Sequence, residues 1–207
     1  RGAATALLTT KGFRDVLDLG TESRFDQYDI GMEKPAPLVP RALRIGVPER
    51  IAADGAILLP LDEAAVRAAA AGFRARGIQS VAIAFLHSYA NPAHEQAAAR
   101  ILAEEMPGAS LSLSSQVSPE MREYERFSTT GANAYVQPLF DRYLRRLDRK
   151  LAELGFVCPF YLMLSSGGLT TVDTAARFPV RLVESGPAGG AIFAAKIARE
   201  RGIDRMV

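Results

Sequence analysis

Two turns built from small residues rich in hydrogen-bond donors stand out late in the chain. One is Ser165-Ser166-Gly167-Gly168; the other is Glu184-Ser185-Gly186-Pro187, which runs on through Ala188-Gly189-Gly190. Each follows a short apolar run, residues 160–164 and 180–183. The first run reads as a buried strand, and the second as a strand leading into an alanine-rich helix. Ligands of open α/β sheets sit at the carboxyl ends of strands, where glycines let backbone N–H groups approach and a helix N-terminus adds partial positive charge. These turns are therefore candidates for anion or nucleotide contact. Tight strand–helix packing that only glycine fits is the competing reading. Neither turn is a Walker-type loop, since no Gly-Lys-Ser/Thr follows, and neither has Gly-x-Gly-x-x-Gly spacing.

Two further groups carry titratable side chains. His87 and His94 are the only histidines and flank one loop, with Glu95 beside the second. His87, at the end of an apolar run, is a candidate for substrate contact or general acid–base work. His94, in a first helical turn, reads as solvent-facing. Their spacing matches no standard metal motif. Glu120, Glu123, Tyr124, Glu125 and Arg126 form a charged turn followed by Ser128-Thr129-Thr130. Glu123 and Arg126 there could make a carboxylate–arginine site, or this could be a solvated face laced with ion pairs. No Gly-x-Ser-x-Gly elbow is present, so a nucleophilic triad has no support.

The elements that must position these groups follow a recurring grammar. Gly77, Gly155 and Gly202 each close a helix, and an apolar strand follows, which argues for α/β layering with parallel strands. Residues 5–9 read as a strand and 11–19 as a short helix closed by Gly20. Residues 21–42 read as irregular because Pro35, Pro37 and Pro40 interrupt them. Residues 43–51 and 56–59 read as strands joined by an Asp54-Gly55 hairpin turn. Asp62 reads as the N-cap of a helix to Arg76, and residues 78–86 as a buried strand. Asn91-Pro92 starts a helix that Pro107-Gly108 breaks. Residues 111–114 read as a strand and Glu120 to Tyr135 as helical. Pro138 begins or kinks the next helix, which runs to Gly155. Residues 187–201 read as the last helix, before a strand that begins at 204–207. A subdomain boundary falls near 115–135.

Composition narrows the class. The 207 residues can bury a core without metal or disulfide help. The 25 basic against 23 acidic residues leave +2, and the charges are interspersed, so nothing points to nucleic acid. Cys158 is alone, which excludes a disulfide framework and fits a cytoplasmic setting. No stretch has the length of a membrane span and no secretory leader is visible. A strand already under way near Arg1 and another just beginning at 204–207 read as a piece of a longer protein.

Six segments, in order, resemble one family. They are Leu8-Thr9-Thr10-Lys11-Gly12-Phe13-Arg14-Asp15; Leu86-His87-Ser88-Tyr89 with Asn91-Pro92-Ala93-His94-Glu95; Glu123-Tyr124-Glu125-Arg126 with Ser128-Thr129-Thr130; Asn133-Ala134-Tyr135; Ser165-Ser166-Gly167-Gly168; and Glu184-Ser185-Gly186-Pro187-Ala188. Together they resemble the hydantoinase A/5-oxoprolinase family, which includes N-methylhydantoinases and an acetone carboxylase subunit. The resemblance implies a partial actin-like ATPase (ribonuclease H-like) α/β fold, with a mixed sheet and flanking helices. It implies residues 1–125 as part of an N-terminal region and 126–207 as the start of an ATPase domain.

The implied activity is ATP- and Mg²⁺-dependent opening of a cyclic amide (hydantoin, 5-oxoproline or a lactam) through a phosphorylated intermediate, with a partner subunit of the hydantoinase B type. A carboxylase subunit and a non-catalytic partner-binding module of the same fold are the alternatives. In that frame Glu123, Arg126 and His87 are the catalytic candidates. Ser165, Ser166, Gly167, Gly168, Glu184, Ser185, Gly186 and Pro187 become nucleotide-cleft candidates, with no metal ligand assigned. The family's Asp-x-Gly-Gly-Thr phosphate loops are not in this sequence; they are expected on either side of it, and the chain alone is expected not to hydrolyse ATP. Gly131 and Gly189 depart from the β-branched residue and the alanine expected at their positions.

Overall fold

The structure is a computed structural model that describes residues 2–21, 28–31, 33 and 35–205. It divides into two compact units, Arg1–Pro138 and Leu139–Val207.

In the first unit the elements follow in the order β1 (Thr5–Thr10), α1 (Val16–Leu19), β2 (Arg44–Val47), β3 (Arg50–Ile51), β4 (Ile57–Leu59), α2 (Glu63–Ala75), β5 (Ser80–Ala84), α3 (Ala93–Glu105), β6 (Ser110–Leu113) and α4 (Ser114–Val117), ending in the first half of α5 (Glu123–Glu153). Four strands form a wholly parallel sheet in the order β2-β1-β5-β6. The antiparallel β3–β4 pair stands apart as a ribbon, with Arg50 opposite Leu59.

Period-two alternation in β1 and β5 sorts the core. Ala6 and Leu8 join Val81, Ile83 and Phe85 on the face covered by α2 and α3, against Val66, Phe73, Ile101 and Leu102. Leu7, Ala82 and Ala84 face the other way, onto Val39 and onto Phe127 and Ala134 of α5. Both faces are covered, which is why the strands read as continuous apolar runs. Burying Phe73, 2% exposed, contributes about 2–3 kcal/mol. Docking of this kind is what holds α2, since an isolated 13-residue helix is marginal in water. Its start is fixed by Asp62, whose side chain accepts from Ala65 N–H at 2.9 Å.

Several boundaries differ from the sequence reading. The helix expected at 11–19 is confined to α1, closed by Gly20 at φ 62. Strand 43–51 splits in two at Pro48, which cannot donate to a ladder. The helical region expected from Glu120 starts at Glu123, and α4 precedes it. Pro138 does not begin a helix; it lies inside the 31 residues of α5, where it has no N–H to give to the ladder.

The second unit holds the rest of α5, an antiparallel hairpin of β7 (Tyr161–Met163) and β8 (Leu169–Thr171), α6 (Val172–Arg177) and α7 (Ser185–Arg201). Leu144, Ala175 and Ala176 form its small core, with Phe140, Leu162, Val172 and Leu182 against it. Gly202, at φ 63, closes α7 as read. The strand expected at 204–207 ends on residues outside those described.

Candidate functional site

The parallel sheet reverses its order at β1: the chain steps from β1 to β2 on one side, then returns to place β5 on the other. In sheets of this kind the crevice over the carboxyl ends at the reversal is where ligands bind. Here that is the edge after Thr10 of β1 and Ala84 of β5, and buried polar groups converge on it.

The loop after β5, residues 85–90, is held from several sides. Phe85 N–H donates to Glu95 Oε1 at 3.0 Å, and Phe85 O accepts from Arg126 Nη2 at 3.2 Å. Leu86 N–H donates to Thr10 Oγ1 at 2.9 Å. His87 Nδ1 lies 2.7 Å from Ile51 O. A carbonyl only accepts, so Nδ1 carries the proton there. The backbone of His87 is left-handed, φ 56, a conformation rare for residues with a β-carbon. Strained residues of this sort persist only when their surroundings over-determine them, and they gather at functional sites.

Three ionisable groups lie beneath the loop. Glu95 is fully buried; it accepts from Phe85 N–H, from Ser114 Oγ at 2.6 Å and from Ser115 N–H at 2.9 Å. Ser114 spends its proton on Glu95, so Ser88 Oγ, 2.9 Å away, donates to Ser114. Burial pushes the Glu95 carboxyl above its ordinary value, against the pull of its donors. Glu49 is buried too, accepting from Thr10 Oγ1 and from His94 Nδ1 at 2.8 Å. Arg126 is fully buried between the rings of Tyr89 and Phe127, each 5.4 Å from its guanidinium carbon. Desolvation lowers its pKa, while Glu95 and Glu123 work the other way. Arg126 Nε and the hydroxyls of Thr9 and Ser115 are buried without a hydrogen-bond partner.

The structure thus treats the sequence candidates differently. Arg126 serves the carbonyls of Phe85, Glu120 and Met121 (2.9 Å to the last) and is inaccessible. Arg122, four residues earlier, is exposed before α5 and pairs with Glu125 at 3.5 Å. Glu123 is half-exposed on the first turn of α5. His94 does not face solvent: it is 6% exposed, because the side chain of Glu49 meets it. Thr10, Glu49 and Glu95 were missed as site members. The available signal was slight: Glu95 lies three and seven residues before Ala98 and Leu102, on the buried stripe of α3, while Glu49 stands beside Arg50 with nothing local to mark it.

In the second unit, the Ser165-Gly168 turn is a hairpin tip. Leu164 N–H donates to Gly168 O at 2.8 Å, and Gly167 N–H to Leu164 O at 2.9 Å. The run 160–164 is therefore not a buried strand of the main sheet: among the described residues β7 pairs only with β8, and Tyr161 is 52% exposed. A five-residue apolar run cannot distinguish the two cases. The run 180–183 is not a strand either. Pro179 opens a 3-10 turn, Pro179–Leu182, and Arg181 O accepts from both the backbone N–H and the hydroxyl of Ser165. Helix α7 begins at Ser185, after Glu184 in a left-handed conformation, φ 61. A β-carbon at Gly186 or Gly190 would meet nothing within 4 Å, so packing does not demand glycine there. Gly167 is different: φ is 84, and a β-carbon would lie 2.8 Å from Ile192 Cδ1. Gly167→Ala is expected to cost about 1–2 kcal/mol. Urea unfolding measures this, and a variant as stable as the wild type would show that the turn relaxes freely.

No group of three or more His, Cys, Asp or Glu that could hold a metal occurs among the described residues. No helix among them is long and apolar enough to cross a membrane. A concavity of about 1050 Å³ along residues 139–149 is lined by α5 alone, largely by charged side chains such as Asp141 and Arg145, which pair with each other. The β1/β5 crevice remains the better candidate.

The sequence matches two family models in succession: "Hydantoinase/oxoprolinase N-terminal region" over residues 1–106 and "Hydantoinase/oxoprolinase" over residues 126–207. The chain is 38% identical to the caprolactamase subunit alpha of Pseudomonas jessenii over 208 aligned residues, which covers 100% of this chain and 30% of that subunit. Among solved structures it is similar to ATP-dependent caprolactamase from Pseudomonas jessenii, with TM-score 0.85 and 36% identity, over 98% of this chain and 30% of that one. It is equally similar in fold to the nucleotide-free acetone carboxylase, at TM-score 0.85 and 28% identity, over 97% of this chain and 30% of that one. The chain therefore spans about a third of the length of these relatives.

Proposed function

The chain belongs to the hydantoinase/oxoprolinase family and carries part of its actin-like ATPase fold, and from that premise we propose that it is a portion of an ATP-dependent hydrolase that opens cyclic amides. A hydantoin, 5-oxoproline or a lactam is the substrate class, the cytoplasm the setting, and a hydantoinase B-type subunit the partner. Residues 126–207 are read as the start of the ATPase domain. The observation that carries this reading is the alignment with a caprolactamase subunit along the whole chain.

The β1/β5 crevice is the proposed substrate side. His87 Nδ1 is committed to Ile51 O, which leaves Nε2 to accept a hydrogen bond or proton from a ligand. Glu123, half-exposed at the start of α5, is the second group placed to meet substrate. Arg126 acts through others: it holds the Phe85 carbonyl and the turn before α5. ATP, when bound, supplies the phosphoryl group that activates an amide oxygen. The open glycines at the start of α7 fit the approach of a flat ring or sugar. They fit phosphates poorly, since the first turn has no basic residue and Glu184 caps it. Without a ligand set for Mg²⁺ among the described residues, no metal ligand is assigned.

The test uses the complete protein with its partner subunit. ATP hydrolysis is measured with ε-caprolactam, 5-oxoproline and hydantoin. One of them is expected to stimulate hydrolysis and to yield the ring-opened amino acid in proportion to ADP. No response to any cyclic amide would overturn the reading. ATP-dependent carboxylation of acetone would instead favour a carboxylase, the second reading, which the likeness to acetone carboxylase supports.

A further inference from the structure

Both histidines are tied to residues 49–51, through different groups. His87 donates from Nδ1 to the Ile51 carbonyl, and His94 donates from Nδ1 to the Glu49 carboxylate. Thr10 links the two. Its hydroxyl accepts from Leu86 N–H and has one proton to give, which goes to Glu49 Oε1. The contacts close a circuit: Glu49, the backbone to Ile51, the His87 ring, the backbone back to Leu86, the Thr10 hydroxyl, and Glu49 again. His94 fixes the other carboxylate oxygen and so decides which oxygen Thr10 meets. Thr10 is 0% and Glu49 2% exposed, so water cannot substitute for a missing member. Inside this circuit sits the one strained backbone of the loop, His87 at φ 56.

The geometry points to Thr10, Glu49 and His94 as positioning residues for His87: they hold its backbone in the left-handed conformation and its ring in the Nδ1–H tautomer, so that Nε2 is presented to the crevice. This rests on the reading of that crevice as the substrate side. None of the three touches the ligand. They act as a carboxylate acts on a metal-bound or catalytic histidine, by fixing a tautomer and an orientation from behind.

Isotope-edited imidazole NMR of the complete protein reads each tautomer, with His87→Gln and His94→Gln variants assigning the two rings. In the wild type His87 is expected as a single Nδ1–H tautomer. Thr10→Val, which keeps the shape and removes the hydroxyl, is expected to give a tautomer mixture at His87 and faster exchange of the Leu86 amide; Thr10→Ser is expected to retain the wild-type spectrum. Where the valine variant does not fold, Glu49→Gln serves, since it sets an NH₂ group against either the Thr10 O–H or the His94 Nδ1–H and is expected to disturb both rings. A His87 ring unchanged in a folded Thr10→Val or Glu49→Gln variant overturns the proposal. In the cyclic-amide assay, Thr10→Val is expected to lower kcat on the order of 10²-fold with KM for ATP unchanged, and Thr10→Ser to restore it. A wild type without turnover would count against the cyclic-amide reading alone, because the ring spectra decide the positioning role separately.

Discussion

Replacing Arg126 with alanine is expected to destabilise the first unit by about 3–5 kcal/mol, the range for truncating a large buried side chain that also serves hydrogen bonds. The Phe85 carbonyl, on a residue with 0% exposure, would lose its side-chain donor from α5, and the space between Tyr89 and Phe127 would empty. The carbonyls of Glu120 and Met121 lie nearer solvent, where water can take over. Arg126 is itself costly to bury, as its lowered pKa records, and its Nε is unpartnered. A chain of similar length without the charge should therefore recover part of the loss, and Arg126→Met is expected to be milder, roughly 1–3 kcal/mol. Urea unfolding of the three proteins decides the matter. Equal stability of Arg126→Ala and wild type would mean that the guanidinium sits in solvent and is free to meet substrate.

That expectation reverses the first impression of the residue, and the reversal shows what local sequence can tell. The Glu123–Arg126 turn has the spacing of a solvated ion-pair face, and half of it behaves so: Arg122 meets Glu125. Whether Arg126 points out or in depends on where α5 lands on the sheet, and no local pattern holds that information. The same is true of His94 and Glu49, which are 45 residues apart in sequence and 2.8 Å apart in space. The legible parts were those set within a few residues: the Asp62 cap, the Asp54-Gly55 hairpin, and the glycines that close α2, α5 and α7. Helix–glycine–strand order foretold the parallel β5 after Gly77, but the same order at Gly155 leads into the antiparallel β7–β8 hairpin, because a glycine stop does not say which strand the next run will pair with. The runs before the glycine-rich turns differ for another reason, since neither is a strand of the main sheet. Ser165-Gly168 has small residues because a hairpin must reverse there and Gly167 must adopt a positive φ, which needs no ligand.

Glu95 carries the other large effect, in the pH dependence of stability. Three donors favour its ionised form and complete burial favours the neutral one; burial prevails, so its pKa in the fold lies above the ordinary glutamate value of 4.5. Between those two values the folded chain holds a proton that the unfolded chain has released. Stability from this group is therefore full below about pH 4.5 and declines as pH rises, by at most about 1.4 kcal/mol per pH unit, until the folded value is passed. Asp15, Asp18 and Glu105 run the opposite way, since their arginine partners depress them and their contribution is lost as pH falls. They are common to wild type and Glu95→Gln and cancel in the difference between the two. At pH 4.5 and below the variant is expected to be the less stable, by about 1–3 kcal/mol, because its amide sets a donor against the Ser115 or Phe85 N–H. The gap should then narrow steadily toward neutral pH, as the wild type alone bears the cost of a buried charge. Chemical unfolding at several pH values follows that gap directly. A gap that widens with pH would mean that the donors outweigh burial, and that Glu95 stands ionised beside Arg126 as an ordinary charge pair.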